Sequence, residues 1–205
     1  RCYWLKVHEV PQASRYARGT AIVNLLSLQK EERLSAFIAV KTFDPDTFLV
    51  MATKLGTVKK TRVEAYSNPR KGGIIAITLD EGDELIEAKI IGAKCELSLI
   101  TKQGKAIRFS EEQVREVGRS ARGVRGIRLD KKDEAVAMVP VNPKSTLLTV
   151  TRLGFGKRTL LAEYRLQSRG GKGIINISVT QKNGEVVSAK TVSDRDEIML
   201  ISQEG

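Results

Sequence analysis

The sequence is poor in the residues from which catalytic and metal sites are most often built. Its 205 residues include one histidine, His8, and two cysteines, Cys2 and Cys95, which lack the spacing of a metal site. With a single histidine, neither a Ser-His-Asp triad nor a histidine-based metal site can be assembled. No Gly-Lys-Ser/Thr segment opens a helix as a phosphate-binding loop does. We therefore expect no catalytic residue, no metal and no cofactor in this chain, and two reduced thiols.

Long apolar runs and aromatic residues are also scarce. No apolar run approaches the ~18 residues of a membrane-spanning helix, and no signal peptide is recognisable at the start. These absences predict a cytosolic protein that does not contact a membrane. Aromatic residues make up 5% of the chain, which disfavours a surface that stacks the bases of single strands.

Positive charge is what the sequence has in excess. Lys and Arg number 35 against 24 Asp and Glu, for a net charge of +11. Such an excess is typical of proteins that bind nucleic acid or an anionic membrane. Because aromatic rings are few, the composition favours contact with the phosphate backbone of duplex DNA.

Glycines recur with a period of about 50 residues, which indicates a repeat architecture. One set closes near-copies of the same apolar phrase and consists of Gly56, Gly104, Gly154 and Gly205. We expect these to be turn residues with positive φ. The second set follows in phase, each close behind a basic residue, and consists of Gly19, Gly73, Gly123 and Gly173. A glycine there allows backbone amides to approach an anion closely.

Within each repeat the apolar pattern predicts four strands and a polar connector. Two runs joined by the glycine turn form a hairpin, and an acidic turn separates a third strand from a fourth. The predicted hairpin strands are 48–53 with 57–61, 97–101 with 105–109, and 147–151 with 155–159, and 198–202 opens a further copy. The predicted third strands are 74–79, 124–129 and 174–179, and the fourth strands are 85–91, 135–141 and 186–192.

Four strands in each repeat predict an all-β, propeller-like fold. The repeat is longer than the ~40–45 residues of a common propeller blade, and the connector holds the extra length, with room for an exchanged strand. We expect one domain over residues 1–205, with repeats at about 1–47, 48–95, 96–145 and 146–197 and the next starting at 198–205. A ring of six such blades needs about 300 residues, so four repeats indicate part of a larger ring.

Several motifs at the right phase resemble one known family over essentially the whole chain. They are the segments 53–61, 118–127, 154–159 and 164–173. These segments are similar to the C-terminal DNA-wrapping domains of the A subunits of bacterial DNA gyrases, which are type IIA topoisomerases. That family carries a Gln-Arg-Arg-Gly-Gly-(Arg/Lys)-Gly box upstream of its first blade. The related string at Gln167–Gly173 has Ser168 in place of an arginine and lies in a later repeat, so we do not assign it as the box.

The resemblance implies a six-bladed β-pinwheel whose strands are exchanged between blades and whose basic rim wraps duplex DNA. It implies a domain without catalysis of its own, monomeric when isolated. In the holoenzyme, two A and two B subunits introduce negative supercoils with ATP and Mg bound elsewhere, in the bacterial cytoplasm at the nucleoid. Two alternatives stay open. One is the C-terminal domain of the topoisomerase IV paralogue, and the other is a propeller that binds an acidic protein partner.

Two sets of basic residues are candidates for DNA contact, because neutralised phosphates supply affinity that is independent of sequence. The first set lies around the second glycines and comprises Arg15, Arg18, Arg70, Lys71, Arg119, Arg122, Arg125, Arg169 and Lys172. The alternative for this set is a solvated loop that aids solubility. The second set follows the turn glycines and comprises Lys59, Lys60, Lys157 and Arg158. Adjacent strand residues face opposite ways, so at most one of each pair faces DNA. The alternative for the second set is charge that protects a sheet edge.

Overall fold

The structure is a computed structural model that describes residues 1–30, 32–68, 70–142 and 144–200. These residues form eleven strands: β1 (Thr47–Thr53), β2 (Thr57–Arg62), β3 (Leu85–Gly92), β4 (Glu96–Thr101), β5 (Lys105–Ser110), β6 (Val124–Arg125), β7 (Ala135–Val141), β8 (Thr146–Thr151), β9 (Gly156–Leu160), β10 (Ile174–Ile175) and β11 (Val186–Val192). They also form five short 3-10 helices, at Val7–Glu9, Ile22–Asn24, Val63–Tyr66, Glu111–Gln113 and Leu161–Glu163. None of the helices in these segments has the length and apolar character needed to cross a bilayer.

The three predicted hairpins are confirmed, with strand ends that differ by a residue or so. β1 pairs with β2, β4 with β5 and β8 with β9, all antiparallel. The turns are tight because Gly56, Gly104 and Gly154 adopt φ of +83°, +80° and +80°, a region that side chains disfavour. The predicted fourth strands are confirmed as β3, β7 and β11, which pair with the first strand of each hairpin.

The chain folds as two compact units. Unit 1 comprises Arg1–Ala93 and Val114–Arg125, and unit 2 comprises Lys94–Gln113 and Gly126–Gly205. Unit 1 holds one sheet with the order β3-β1-β2-β6. Unit 2 holds a sheet with the order β10-β5-β4-β7 and a three-stranded sheet with the order β11-β8-β9.

Strands are exchanged between repeats, as expected. β6 belongs to the third repeat but pairs with β2 of the second, placing Val124 opposite Val58. β10 belongs to the fourth repeat but pairs with β5 of the third, placing Ile174 opposite Ala106. Each exchanged strand therefore completes a sheet that its own repeat did not begin.

The predicted third strands are wrong in length. Over 124–129 and 174–179 only two residues pair in each case, and over 74–79 only Ile74 pairs, as an isolated bridge to Cys2. The chain leaves the ladder because it turns across the hairpin loop beside it. The N–H groups of Asn176 and Ile177 both donate to the carbonyl oxygen of Gly104, at 2.8 and 3.1 Å.

The first repeat differs most from the pattern. Its described residues before Thr47 contain no ladder strand, and His8 lies in a 3-10 helix, not in the surface strand that we expected. At the other end, Ile198–Leu200 form no strand. The rest of the strand predicted over 198–202, and Gly205, lie outside the described residues. The single domain over 1–205 and its repeat boundaries stay a prediction.

Each unit has its own apolar core, to which one connector tyrosine contributes. In unit 1, Tyr66 is 2% exposed and packs with Met51 and Ile74. Its carbonyl oxygen accepts a hydrogen bond from the Trp4 indole N–H at 2.9 Å. In unit 2, Tyr164 is 3% exposed. Both tyrosines recur at the same place in the repeat, and their predicted role in packing is confirmed.

Candidate nucleic-acid interface

In unit 1 a basic residue stands directly before the point where one repeat meets the next. Gly123 has φ +108°, and a Cβ there would lie 2.6 Å from the carbonyl oxygen of Val58. Only glycine fits this approach of β6 to β2, because a side chain would meet backbone. Arg122, the preceding residue, is exposed. The glycine thus fixes where this arginine is presented.

Unit 2 repeats this arrangement. Gly173 has φ +73°, and a Cβ there would lie 2.6 Å from the carbonyl oxygen of Ala106. The exposed residue before it is Lys172. The glycine-basic element is therefore placed in the same way in both units, at the start of an exchanged strand.

Each of these two cations has an aspartate partner from the preceding repeat. Arg122 Nη1 lies 2.8 Å from Asp80 Oδ1, and Lys172 Nζ lies 3.6 Å from Asp130 Oδ1. A hydrogen bond from Lys105, and then its charge, lower the pKa of Asp130 below the ordinary value, with a smaller contribution from Lys172. Exposed pairs of this kind are weak, and the side chains of Arg122 and Lys172 remain 67% and 64% exposed. Both cations are accessible to a further anion.

The other predicted residues of the first set are placed in different ways. Arg169 is held by Gln113, whose carbonyl oxygen accepts from Nε at 3.0 Å and whose side chain accepts from the Arg169 backbone at 2.7 Å. The Arg15 guanidinium lies 4.8 Å from the centre of the Tyr16 ring. Four further members of the set are exposed: Arg18, Arg70, Lys71 and Arg125.

Arg70 and Arg119 line a cavity of about 380 Å³ in unit 1, together with Arg1. We did not predict Arg1 as a site residue. No local signal marks it, because the antiparallel bridge between Cys2 and Ile74 is what brings the start of the chain beside the second repeat.

Lys59 of the second set is wrong as a DNA contact, because it is fully buried, with 0% of its surface exposed. Its ammonium group donates to the carbonyl oxygen of Ala76 at 2.5 Å and to that of Arg119. Burial, and secondarily the charge of Arg119, lower the pKa of Lys59 from 10.5 to about 8. The side chain joins the second repeat to the Arg119 loop of the third.

Lys60 is also wrong as a DNA contact, since it is only 7% exposed. Its ammonium group lies 4.9 Å from the centre of the Phe48 ring. Arg108, at the same position in the third repeat, is similarly enclosed and donates to carbonyl oxygens of the fourth repeat. The two expected faces of β2 are therefore both covered.

Lys157 and Arg158 of the same set are exposed on β9. Arg158 Nη2 lies 2.5 Å from Asp194 Oδ1. They differ from Lys59 and Lys60 because no strand pairs with the second edge of β9 among the described residues.

The low pKa of Lys59 predicts how stability depends on pH. Between about pH 8 and pH 10.5 the unfolded chain keeps a proton that folded Lys59 has released, so the free energy of unfolding rises with pH. We expect this rise to amount to about 1–3 kcal/mol. Urea unfolding of the wild type and Lys59→Met at pH 7, 8.5 and 10 measures it as a growing difference between the two proteins. Parallel pH profiles of the two proteins would show that Lys59 keeps an ordinary pKa.

The exchanged strands, the four-stranded sheets and the 50-residue period define a protein class, which is a β-propeller-like repeat domain. The family described as "DNA gyrase C-terminal domain, beta-propeller" matches residues 1–41, 47–91, 96–142 and 145–193. The chain belongs to this family, which confirms the resemblance and the fold class expected from the sequence.

Similar proteins are A subunits of DNA gyrases. The chain is 53% identical over 205 residues to the gyrase protein of this kind from Clostridium acetobutylicum, covering 100% of this chain and 25% of that protein. It is 46% identical to the one from Klebsiella oxytoca, covering 100% of this chain and 23% of that protein. The chain thus spans about a quarter of the length of these relatives.

Solved structures agree with the fold. A DNA gyrase A C-terminal domain superposes with a TM-score of 0.78 at 27% identity, covering 87% of this chain and 60% of that one. The C-terminal domain of a DNA topoisomerase IV superposes with a TM-score of 0.82 at 25% identity, covering 92% of this chain and 59% of that one.

Proposed function

We propose that this chain binds duplex DNA through its exposed basic elements, largely without sequence preference, and wraps it. The observation that carries the proposal is the glycine-basic element, which both units place at the start of an exchanged strand with an exposed cation before the glycine. A net charge of +11 and membership of the gyrase C-terminal domain family support it.

Repeated cations suit wrapping for an energetic reason. Bending a short duplex costs several kcal/mol, and contacts spread along the path offset this cost better than one strong contact. Each neutralised phosphate releases counterions and adds affinity. One basic element in each repeat supplies contacts at regular intervals, and none of them needs to read a base.

We further propose that the chain serves a gyrase holoenzyme. In this A2B2 assembly it acts with the B subunits of gyrase and with the remainder of the A polypeptide, in the bacterial cytoplasm at the nucleoid. The domain itself contributes no catalytic group and no cofactor, and ATP and Mg act elsewhere in the assembly. Wrapping by the domain presents a DNA segment so that strand passage introduces negative supercoils.

Salt dependence tests the DNA contact. If about six phosphates are neutralised, the logarithm of the binding constant falls with the logarithm of salt concentration with a slope of about −5. The double variant Arg122→Met with Lys172→Met removes two contacts and reduces this slope by about 1.8. Fluorescence anisotropy of a labelled duplex between 50 and 200 mM salt measures both.

The matched control is Lys89→Met with Lys190→Met, which removes one exposed lysine from the fourth strand of a repeat in each unit. This control keeps the wild-type slope if the glycine-basic elements make the contacts. A slope near zero for the wild type, or no duplex binding at 50 mM salt, rejects DNA binding. That result would favour a propeller that binds an acidic protein.

Plasmid topology separates wrapping from simple binding. Relaxed plasmid is mixed with the protein, treated with a nicking-closing topoisomerase, freed of protein and analysed for handedness. We expect a protein-dependent shift to positively supercoiled circles. Salt-sensitive binding without any shift would contradict wrapping by this chain.

A further inference from the structure

Three arginines from distant parts of the sequence converge on one cavity in unit 1. Arg1, Arg70 and Arg119 line a space of about 380 Å³, between the backbone of Gly73–Ile75 and the side of Ser120. A volume of this size lies within the range of ~300–1,000 Å³ that is common for small-molecule sites. The lining is positively charged, so an anion is the ligand class that it fits.

The backbone beneath each arginine is fixed by hydrogen bonds. Cys2 and Ile74 exchange N–H to carbonyl bonds of 2.8 and 2.9 Å, which holds Arg1 at the cavity. The Gly73 N–H donates to the Arg70 carbonyl oxygen at 2.8 Å and closes the turn that carries Arg70. The carbonyl oxygen of Arg119 accepts from the buried ammonium group of Lys59. The arginine positions are therefore set before any ligand arrives, which reduces the entropy lost on binding.

Gly73 brings one wall into place. It has φ +70°, and a Cβ there would lie 2.7 Å from the Tyr3 ring. Arg1 Nη1 donates to the carbonyl oxygens of Gly72 and Gly73 at 3.1 and 3.3 Å. These contacts orient the Arg1 guanidinium along the cavity wall and leave its other N–H groups available.

Two of the three positive charges are not neutralised by protein carboxylates. Arg1 Nε lies 3.7 Å from Glu32 Oε1. In the described part of the chain, by contrast, no carboxylate lies within ion-pair distance of the Arg70 or Arg119 side chains. Arg122, three residues beyond Arg119, is paired with Asp80. The cavity therefore concentrates the uncompensated charge of this loop.

We propose that this arginine pocket is a phosphate-binding site. The planar guanidinium fork matches the oxygens of a phosphate and can bind two of them at once. If the phosphate is one of the DNA backbone, the site rests on the proposed function and is a point where the duplex is held in a pocket. A free phosphate compound has the same chemistry, and the two sources are separated by experiment.

The test compares Arg70→Met and Arg119→Met with Lys89→Met, which removes an exposed charge of unit 1 away from the cavity. The full chain is titrated with a labelled duplex over a salt series, and with inorganic pyrophosphate by calorimetry. Each pocket variant is expected to weaken duplex binding about three- to tenfold and to reduce the salt slope by about one. Arg119→Lys, which keeps the charge but loses the fork, is expected to fall in between.

Pyrophosphate distinguishes the two sources. Loss of both duplex affinity and pyrophosphate binding in Arg119→Met identifies the DNA backbone as a ligand of the pocket. Loss of pyrophosphate binding alone, with duplex affinity equal to that of Lys89→Met, identifies a free phosphate compound. The pocket is rejected if both pocket variants match Lys89→Met with both probes. If the wild type binds no duplex, the proposed function fails, while pyrophosphate still tests the pocket.

Discussion

Gly104→Ala is expected to destabilise unit 2 by about 3 kcal/mol or more, the largest effect of a single added methyl group at the turn glycines. Its φ is +80°, which alone costs a side chain about 1–2 kcal/mol. A Cβ would also lie 2.0 Å from the carbonyl oxygen of Ile177. That neighbour is backbone, so relief requires the fourth-repeat chain to move away.

This movement would break more than one contact. The Gly104 carbonyl oxygen accepts from both Asn176 and Ile177, next to the strand β10 that completes the sheet. Displacement of Ile177 therefore strains the exchange between the third and fourth repeats as well as the turn. Urea unfolding of the variant, followed by circular dichroism, measures the lost free energy of unfolding.

Gly154→Ala is the matched control for this prediction. Gly154 occupies the same place in the fourth repeat and has the same φ of +80°, but no atom lies within 4 Å of the added Cβ. Only the backbone strain of about 1–2 kcal/mol is expected. Equal losses in the two variants would show that the approach of Ile177 is not what costs stability.

These two glycines also show what sequence can and cannot predict. Both end an alternating apolar run, so local pattern predicted both turns and their hairpins within a residue or so. Crowding at Gly104 but not at Gly154 depends on a segment some 70 residues further along the chain. No local pattern encodes that neighbour.

The third strands failed for the same physical reason. Over 174–179 the alternation of apolar and polar residues predicted a strand of six residues, because one face is buried. The burial is present at Asn176, which is 2% exposed, but the N–H groups there donate to a hairpin loop instead of a strand. Periodicity reports which side chains are covered, not which acceptor the backbone finds.

The candidate site was predictable where it rests on repetition. Arg122 and Lys172 stand before phased glycines, and the structure presents both in the same way. Lys59 and Lys60 were misjudged because charge normally indicates exposure. Their burial depends on carbonyl groups and rings supplied by other segments, which no count of charges reveals.

Arg108→Met is expected to cost about 3 kcal/mol of the free energy of unfolding. The Arg108 side chain is 11% exposed, and its Nε lies 2.5 Å from Glu96 Oε2. Its Nη1 donates to the carbonyl oxygens of Leu161 and Tyr164 at 3.0 Å each. Methionine fills much of the space but leaves three acceptors without this donor, and unsatisfied buried acceptors are costly.

Arg158→Met is the control, since Arg158 holds the same place in the fourth repeat. Its side chain is 46% exposed and pairs with Asp194, which is 90% exposed, so we expect a loss of less than about 1 kcal/mol. Adding Glu96→Gln to Arg108→Met should recover part of the loss, because the double variant no longer leaves a carboxylate unpaired. Thermal and urea unfolding of the three proteins check both expectations.

DNA affinity decides between two roles for Arg108. If it joins the third repeat to the fourth, Arg108→Met lowers stability and leaves the salt slope of duplex binding unchanged, because an enclosed guanidinium releases no counterion from DNA. A reduced slope at unchanged stability would instead place Arg108 on the DNA path. The first outcome would mean that basic residues serve this fold in two ways. Exposed cations before the phased glycines would meet phosphates, and enclosed cations after the turn glycines would bind the carbonyl groups of the next repeat.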